Sequence, residues 1–444
     1  MNLRTYGDNQ EMLNRERESF AADAAKLSES GADKVVRVEQ IEDGIIDSSI
    51  RVFRTFEEIE EIRDVWSSWH QHPNSDIDFY SLIVRSRPEM LRPHVVVHYR
   101  DGVPDAMLVG RIERARLEFR VGYKTFYRAK VRQLTLVHRG ELGTLSPQNC
   151  DLLIRQVMHS LRRGEADVAF FNFVRTDSSL YASASELPGF LSRDHFGTAA
   201  IQRSTTLPST VEDVYQRLSG KARKTLKRQA RKILSDFEGK VQIRTFSKTA
   251  ELDDAIRDVE RIAKKTYQRG LGVGFCDDEN MRRQLVLEAE RGWLRIHVLY
   301  IGEKPCTFWI GCLYGQTFHS NFLGYDPEYA KYSIGMYLVV TVLENFIIHA
   351  VTDQPERIDW GLGDAQYKEV LGDQNWQETS LYIFAKTFRG ILLNTFRTPV
   401  VFIDEILKKV LERTKLLQKV KKIWRDRARQ RQSPGQSETP SENA

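Results

Sequence analysis

Residues 293–325, WLRIHVLYIGEKPCTFWIGCLYGQTFHSNFLGY, contain three apolar runs separated by two short polar turns. Runs of this length, rich in β-branched and aromatic residues, predict three consecutive antiparallel strands. A helical pattern, ENMRRQLVLEAERG, ends before them at Gly292, and an apolar one, YSIGMYLVVTVLENFIIHA, follows with Ser333 as its predicted N-cap. The stretch therefore predicts a meander held between two helices.

The elements around this meander complete one α/β unit. Before it, VQIRTF (241–246) alternates as a strand, and residues 248–268 carry apolar side chains at helical spacing. After it, RIDWGLG and ETSLYIFAK predict two further strands. We therefore expect strand, two helices, meander, helix, strand, strand, that is, a mixed and mostly antiparallel sheet flanked by helices.

A similar unit precedes this one in the chain. SIRVFRTFEEIEEI (49–62) resembles KVQIRTFSKTAELDDAI (240–256), and HYRDGVPDAMLVGRI (98–112) resembles LYIGEKPCTFWIGCL (299–313). The matched segments come in the same order in both halves. This order favours two copies of one fold over chance similarity between short strands, and a chain of 444 residues has room for two domains.

Composition excludes several classes of protein. The hydrophobic share of 41% and the charged share of 29% are typical of soluble globular proteins. No run approaches the ~20 apolar residues of a membrane span, and the polar N-terminus shows no secretory signal. The four cysteines, Cys150, Cys276, Cys306 and Cys312, have neither disulfide-framework nor zinc-site spacing. We therefore expect a reduced, cytoplasmic protein without a metal.

The element order is that of the GNAT acyltransferase fold. RIAKKTYQRGLGVGF, GWLRIHVLYIGEKPCTF, GYDPEYAKYSIGMYL and DWGLGDAQYKEVLG together resemble the acetyltransferase-like domain of cellulose and exopolysaccharide biosynthesis clusters. That family is related to the Fem-type aminoacyl transferases, which also carry two GNAT copies. The resemblance implies a tandem GNAT-like α/β fold and an acyltransferase activity.

The resemblance and the composition together predict five segments. They are a charged N-terminal arm (1–48), a degenerate, acceptor-side or structural GNAT-like domain (49–205), a second GNAT-like domain with the acyltransferase site (206–390), a basic amphipathic helix (391–431) and a disordered tail (432–444). The first domain is expected to lack a donor site, because its matching helix, SPQNCDLLIRQVMHSL, has no glycine in its first turn.

The donor site is expected where the helix after the meander begins. The free N–H groups and positive dipole end of a helix bind the pyrophosphate of an acyl-CoA. The predicted turn contains Tyr332, Ser333, Ile334, Gly335 and Met336. Gly335 would let the backbone approach a phosphate closely. The alternative is an N-capped buried helix without a ligand.

Asp364, Tyr367 and Lys368 follow the turn that contains Gly361 and Gly363. A carboxylate can act as base, a tyrosine as acid, and a lysine can orient charge. From spacing alone, an Asp364–Lys368 salt bridge with Tyr367 as a packing residue is the more economical interpretation. The resemblance favours catalysis, because a Tyr-Lys pair after a Gly-x-Gly turn is typical of the family.

Three further residues complete the predicted site. His319, in the third meander strand, is a candidate base, although a histidine in a strand is more often structural. Asp359 either lines the cleft or ends its strand. Arg269, at a helix end before Gly270, would hold an acceptor carboxylate or phosphate, or only belong to the helix C-cap.

Two basic segments point to anionic ligands. Residues 217–232 contain eight basic and no acidic side chains, and Lys221, Arg223 and Lys224 lie off the apolar stripe of this predicted helix. Residues 386–431 contain 14 basic and 4 acidic side chains around an apolar face. The first segment fits a phosphate-rich ligand or a solvated face. The second fits an anionic membrane surface, a partner, or packing on its own domain.

These features predict a tandem-GNAT transferase that uses acetyl-CoA or another acyl-CoA. Its acceptor would be an amine or hydroxyl of a sugar, polysaccharide or cell-envelope precursor. A peripheral position at the inner membrane face is compatible with the C-terminal segment. One alternative is a Fem-type transferase that uses aminoacyl-tRNA, although the sequence has no RNA-recognition motif. The other is an inactive scaffold in polysaccharide biosynthesis.

Overall fold

A computed structural model of the chain describes residues 36–37, 48–122, 124–270, 272–348, 355–363 and 365–413. The strands are β1 (Val36–Arg37), β2 (Ser48–Phe53), β3 (Met90–Arg100), β4 (Val103–Val121), β5 (Lys124–Gly143), β6 (Val168–Arg175), β7 (Thr198–Thr206), β8 (Val241–Phe246), β9 (Leu294–Ile301), β10 (Lys304–Tyr314), β11 (Thr317–Tyr325), β12 (Arg357–Leu362) and β13 (Gln374–Phe384).

The α-helices alternate with these strands. They are α1 (Phe56–Glu60), α2 (Arg63–Trp69), α3 (Ile77–Ser86), α4 (Pro147–Arg162), α5 (Ser179–Glu186), α6 (Val211–Arg217), α7 (Gly220–Asp236), α8 (Leu252–Ala263), α9 (Tyr267–Gly270), α10 (Glu279–Glu290), α11 (Ile334–Ile348), α12 (Gln366–Leu371) and α13 (Phe388–Arg413). Short 3-10 helices span Pro73–Ser75, Thr249–Glu251 and Pro327–Tyr332.

All the described strands form one sheet, in the order β1-β2-β3-β4-β5-β6-β13-β7-β12-β11-β10-β9-β8. Two neighbouring pairs, β5–β6 and β11–β12, are parallel, and the other neighbours are antiparallel. Strands β2–β6 and β8–β12 therefore repeat one pattern: three antiparallel pairings followed by a parallel one. We call these strands, with the helices between them, the first copy and the second copy. The predicted α/β fold with two copies is confirmed.

The two copies exchange their last strands at the centre of the sheet. β7 follows the first copy in the chain but pairs with β12 of the second. β13 follows the second copy but pairs with β6 of the first. β7 and β13 also pair with each other over seven residues. The two halves therefore share one continuous ladder of backbone hydrogen bonds. The domain boundary predicted between residues 205 and 206 falls inside β7.

The second copy packs its helices on both faces of its sheet. On one face α7 and α11 cover a core that includes Trp309, Phe318 and Trp360. On the other face α8 and α10 cover Val298, Ile310 and their neighbours. Because both faces of the sheet are buried, successive residues of the meander strands are nearly all apolar and do not alternate with polar ones. Gly292, with φ of +73°, takes the left-handed conformation that ends α10, as its sequence predicts.

The C-terminal helix starts earlier than the sequence predicts. α13 begins at Phe388 rather than at residue 391, and it is described as far as Arg413. It packs on the first copy, where Asp404 Oδ1 accepts a 2.6 Å hydrogen bond from the Gly122 N–H. The predicted helix from 414 to 431 and the predicted tail (432–444) lie outside the described residues, as does the N-terminal arm apart from β1 and Ser48. Among the described helices, none is both long and apolar enough to span a bilayer.

Candidate active site

The parallel strands β11 and β12 pair over only three residues. Thr317, Phe318 and His319 lie opposite Arg357, Ile358 and Asp359. On its other side β12 has a register shift against β7 between Asp359 and Gly361. The two strands therefore stop pairing at His319 and Asp359, and these two side chains stand where a cleft opens between the strands.

His319 and Asp359 form a carboxylate–imidazole pair. The distance from His319 Nδ1 to Asp359 Oδ2 is 3.4 Å. The other oxygen, Oδ1, accepts a 2.7 Å hydrogen bond from the Gly361 N–H and one from Gln202 Nε2. Burial opposes the charge of the carboxylate, but the contacts with His319, the Gly361 N–H and Arg139 hold the pKa of Asp359 below its ordinary value. Asp359 is therefore a carboxylate that orients the imidazole.

The first copy adds two histidines to this pair. The ring of His72 lies across the ring of His319, with centroids 4.5 Å apart and an interplanar angle of 73°. The His138 ring is 5.5 Å from His72. His138 Nε2 lies 2.9 Å from Glu378, whose carboxylate also accepts a 2.6 Å hydrogen bond from Arg139. The sequence analysis misses His72 and His138 because only the exchanged sheet brings the copies together.

The cleft has a cavity volume of about 190 Å³. Its walls come from both copies and include His72, His138, Gln202, Glu288, His319 and Asp359. Carboxylates, imidazoles and amides line this concave surface. The arrangement can take a proton from a nucleophile and can donate hydrogen bonds to a developing charge.

Glu288, on α10, is a buried carboxyl in the wall of this cleft. It is 1% exposed, and its Oε1 accepts a 2.9 Å hydrogen bond from Gln284. Oε2 has no hydrogen-bond partner within the part of the chain that the structure describes. Burial raises the pKa of Glu288 to about 7. The sequence gives no signal for this residue, because a glutamate in a charged helix looks solvated.

The His72, His319 and Asp359 ligand atoms all lie within 4.8 Å of one another, a spacing that a metal ion would require. The His72 ring argues against an ion. Its Nδ1 accepts the Asn74 N–H at 3.1 Å, so Nε2 carries the proton of the neutral ring. A metal-bound histidine instead donates from its second nitrogen. The residues therefore fit proton chemistry better than metal ligation.

The start of α11 differs from its prediction. Ser333 has a φ of +51°, whereas an N-cap is extended, and its carbonyl accepts the Met336 and Tyr337 N–H groups. A Cβ on Gly335 would lie 3.6 Å from the Tyr325 ring, so this position faces inward and not towards a ligand. The N–H groups of Ile334 and Gly335 still belong to a first helical turn, where the helix supplies no acceptor. Tyr332 is buried, and its hydroxyl donates to Asp236 at 3.0 Å.

Tyr367 and Lys368 lie on α12, near the end of β12. Lys368 Nζ donates a 2.8 Å hydrogen bond to the Leu362 carbonyl. The Tyr367 ring packs edge-on against Trp360 at 6.0 Å, and burial, with a smaller effect from Tyr267, raises its pKa to about 12. The tyrosine is therefore a protonated donor at neutral pH. Asp364 lies outside the described residues, so the predicted Asp364–Lys368 pair stays a prediction.

The predicted site residues divide between the two faces of the sheet. Successive side chains of a strand point to opposite faces. Asp359 therefore faces the cleft with His319, whereas Trp360 faces α11 together with Tyr367. His319 and Asp359 therefore lie on the cleft face of the sheet. Tyr367 and Lys368 lie on the α11 side, across the opening between β11 and β12.

Arg269 is held within the protein. Its guanidinium makes a two-pronged contact with the Glu260 carboxylate, at 3.0 and 3.3 Å, and also donates to the Phe275 carbonyl. These contacts fix the loop after α9. They leave the guanidinium occupied, so the interpretation of Arg269 as a structural residue is favoured over acceptor binding.

The basic helix α7 runs along α11, and its predicted cations lie at the far end. Lys221, Arg223 and Lys224 are in the first turns of α7, whereas the other end reaches the start of α11, where Lys232 Nζ lies 5.5 Å from the Tyr332 ring. Lys232 lies eleven positions after Lys221, a distance of roughly 16 Å along the helix. Lys232 and Lys331 are the cations beside Tyr332.

Comparison with known proteins finds one family model that matches part of the chain. Residues 220–369 match the model described as "Acetyltransferase (GNAT) domain". No significant match was found among curated proteins.

Three solved structures are similar to 71–76% of this chain, all at low identity. FemX is 10% identical, with 71% of this chain and 96% of FemX covered and a TM-score of 0.44. The C-terminal domain of a putative lysylphosphatidylglycerol synthetase from Agrobacterium fabrum is 10% identical (76% and 94% covered, TM-score 0.43). A tandem GNAT protein from the clavulanic acid biosynthesis pathway is 8% identical (76% and 99% covered, TM-score 0.43). Residues 220–369 are therefore similar to GNAT acetyltransferase domains, which supports a transferase of the acyltransferase class.

Proposed function

We propose that the protein transfers an acyl group from acetyl-CoA or another acyl-CoA to an amine or hydroxyl of a sugar, polysaccharide or cell-envelope precursor. The observation that carries the proposal is the His319–Asp359 pair, which stands at the mouth of the cleft where β11 and β12 stop pairing. The sequence resemblance to acetyltransferase-like proteins of cellulose and exopolysaccharide clusters supports the choice of acceptor.

The proposed reaction includes two proton transfers, one from the acceptor and one to the departing CoA thiolate. His319 takes the proton of the acceptor N–H or O–H, and the acceptor attacks the thioester carbonyl. The new C–N or C–O bond forms as the C–S bond breaks, and CoA leaves as a thiolate. The thiolate then takes a proton, for which the Tyr367 hydroxyl is the proposed source. Tyr367 regains a proton from solvent as His319 releases one, and the products are the acylated acceptor and free CoA.

The donor would enter from the α11 face of the sheet. The first-turn N–H groups of α11, within Tyr332–Met336, would bind the pyrophosphate together with Lys232 and Lys331, while Lys368 would fix the end of β12 beside the acyl group. The matching helix of the first copy, α4, is preceded by Ser146, whose side chain caps it by accepting the Asn149 N–H. We therefore assign the donor site to the second copy (206–390) and an acceptor-side role to the first (49–205).

We also propose a cytoplasmic position with peripheral attachment to the inner membrane face. The support is the outer surface of α13, where large apolar side chains are exposed beside basic ones. These apolar residues are Phe388, Phe396, Phe402, Ile403, Ile406, Leu407 and Val410. Helices that combine exposed aromatic and aliphatic residues with lysine and arginine bind anionic bilayer surfaces.

A second candidate is a Fem-type transferase that takes its acyl group from an aminoacyl-tRNA. The observation that favours it is the exposed basic face of α7, with Lys221 and Lys224, because such a face attracts a polyanion. The same acid–base pair would serve both donors, since each reaction attacks an activated carbonyl.

A thermal-shift and activity screen separates these candidates. The purified chain is tested with acetyl-CoA, longer acyl-CoAs and charged tRNA, with glucosamine, UDP-glucosamine and glucose as acceptors. We expect acetyl-CoA or another acyl-CoA to raise the melting temperature, and free CoA to be released only when an acceptor is present. Stabilisation by charged tRNA alone would support the Fem-type candidate. Silence with every ligand would support an inactive scaffold.

A further inference from the structure

His72 belongs to the first copy, and its hydrogen bonding fixes which ring nitrogen carries the proton. A backbone N–H can only donate, so the 3.1 Å contact from the Asn74 N–H makes His72 Nδ1 an acceptor. In the neutral ring Nε2 then carries the hydrogen. Burial, followed by the neighbouring His319, His138 and Arg139, lowers the pKa of His72 well below its ordinary value. His72 therefore presents a neutral Nε2–H donor.

This donor lies beside the proposed base and lines the same cleft. The rings of His72 and His319 have centroids 4.5 Å apart, yet neither ring nitrogen of His319 has a hydrogen-bond partner in the described ranges. The ligand atoms of His72, His319 and Asp359 lie within 4.8 Å of one another. A substrate bound in the cleft can therefore contact the His72 ring and the His319 ring with neighbouring atoms.

The segment that carries His72 is anchored from both copies. Ser75 Oγ donates to the His72 carbonyl at 2.9 Å, and Trp66 Nε1 donates to the Ser75 carbonyl at 2.6 Å. Asp76, the next residue, accepts a 3.0 Å hydrogen bond from the Tyr314 hydroxyl of β10 in the second copy. These contacts hold the imidazole in place before any ligand arrives, as electrostatic catalysis requires.

We propose that His72 is a catalytic residue contributed by the first copy, whose Nε2–H donates to the acyl oxygen while His319 takes the proton of the acceptor. The negative charge that develops on the acyl oxygen during attack would be stabilised by this neutral donor. The proposal rests on the proposed acyl transfer. It makes the active site composite, so that the second copy alone has a base but lacks this donor.

Two substitutions separate the functions of the two ring nitrogens. In His72→Asn the amide oxygen can take the place of Nδ1 and accept the Asn74 N–H, but no donor remains at the Nε2 position. In His72→Gln the longer amide places an N–H near the Nε2 position. The turnover number is measured with acetyl-CoA and the best acceptor of the screen described above, and acetyl-CoA affinity and melting temperature are measured for both variants.

We expect His72→Asn to lower kcat by about 10²–10³-fold, with unchanged acetyl-CoA affinity and melting temperature, and His72→Gln to stay within about tenfold of the unsubstituted protein. A folded His72→Asn variant with full kcat would overturn the inference and leave the proposed function intact. Equal losses in both variants, with weaker acetyl-CoA binding, would also overturn it in favour of a structural role. An unsubstituted chain that neither binds acyl-CoA nor transfers acyl groups would contradict the proposed function itself.

Discussion

Replacing His319 by glutamine is expected to lower kcat for acyl transfer by about 10²–10⁴-fold without unfolding the protein. A positioned general base contributes an effect of this size. The glutamine side chain fills a similar volume, and its amide can reach towards Asp359, which lies 3.4 Å from His319 Nδ1. It cannot accept a proton near neutral pH. The measurement is steady-state release of CoA, with the acetyl-CoA affinity determined separately.

The control is His195→Gln, which makes the same chemical change on a loop outside the cleft. His195 Nε2 contacts only the Phe190 carbonyl among its described hydrogen bonds. We expect its kcat to equal that of the unsubstituted protein. If His319→Gln kept more than a tenth of the activity, the base would have to be sought elsewhere in the cleft.

Replacing Glu288 by glutamine is expected to change how stability depends on pH. Because burial raises the pKa of the folded state from 4.5 to about 7, the folded protein binds more protons than the unfolded chain between these values. The contribution of Glu288 to stability is therefore full below pH 4.5 and is lost as the pH rises through 7. The total change is about 3 kcal/mol.

The glutamine variant has no such loss, since its amide does not ionise and its oxygen can still accept the Gln284 hydrogen bond. The free energy of unfolding of Glu288→Gln, relative to that of the unsubstituted protein, should therefore rise by about 3 kcal/mol between pH 4.5 and pH 8. Urea unfolding at both pH values gives this difference. Glu290→Gln, an exposed change on the same helix, controls for the loss of a surface charge. If the free energy of unfolding depended on pH in the same way for Glu288→Gln and the unsubstituted protein, the pKa of Glu288 would be the same in the folded and unfolded states, which would contradict the prediction.

The fold is largely predictable from local sequence patterns. The meander of β9–β11, the helices on either side of it and the duplication all follow from hydrophobic period and turn residues. The strand exchange does not, because the local pattern of a strand does not determine which partner it takes, and β7 and β13 pair with strands of the opposite copy. The same limit applies to Ser333, whose left-handed backbone depends on the 3-10 turn before it.

The candidate site is also predictable only in part, because local sequence patterns do not determine which distant segments come together. His319 and Asp359 are found because strand alternation and fold order place them at neighbouring strand ends. His72 reaches the cleft through pairing between the copies, and Glu288 becomes unusual only through burial. Arg269 is a good ligand residue by type, but its internal partner Glu260, nine residues earlier, cannot be assigned from spacing alone.

The most direct test of the account is calorimetric titration of acetyl-CoA into the unsubstituted protein and into Ser333→Asp. Aspartate tolerates the left-handed backbone of Ser333 and favours a helix N-terminus, so the fold should be kept. Its carboxylate would repel a pyrophosphate bound at the first turn of α11. We predict binding of acetyl-CoA to the unsubstituted protein, and binding at least ~10-fold weaker, with an unchanged melting temperature, in the variant. Equal affinity in both proteins, or no binding to either, would contradict a donor site at α11.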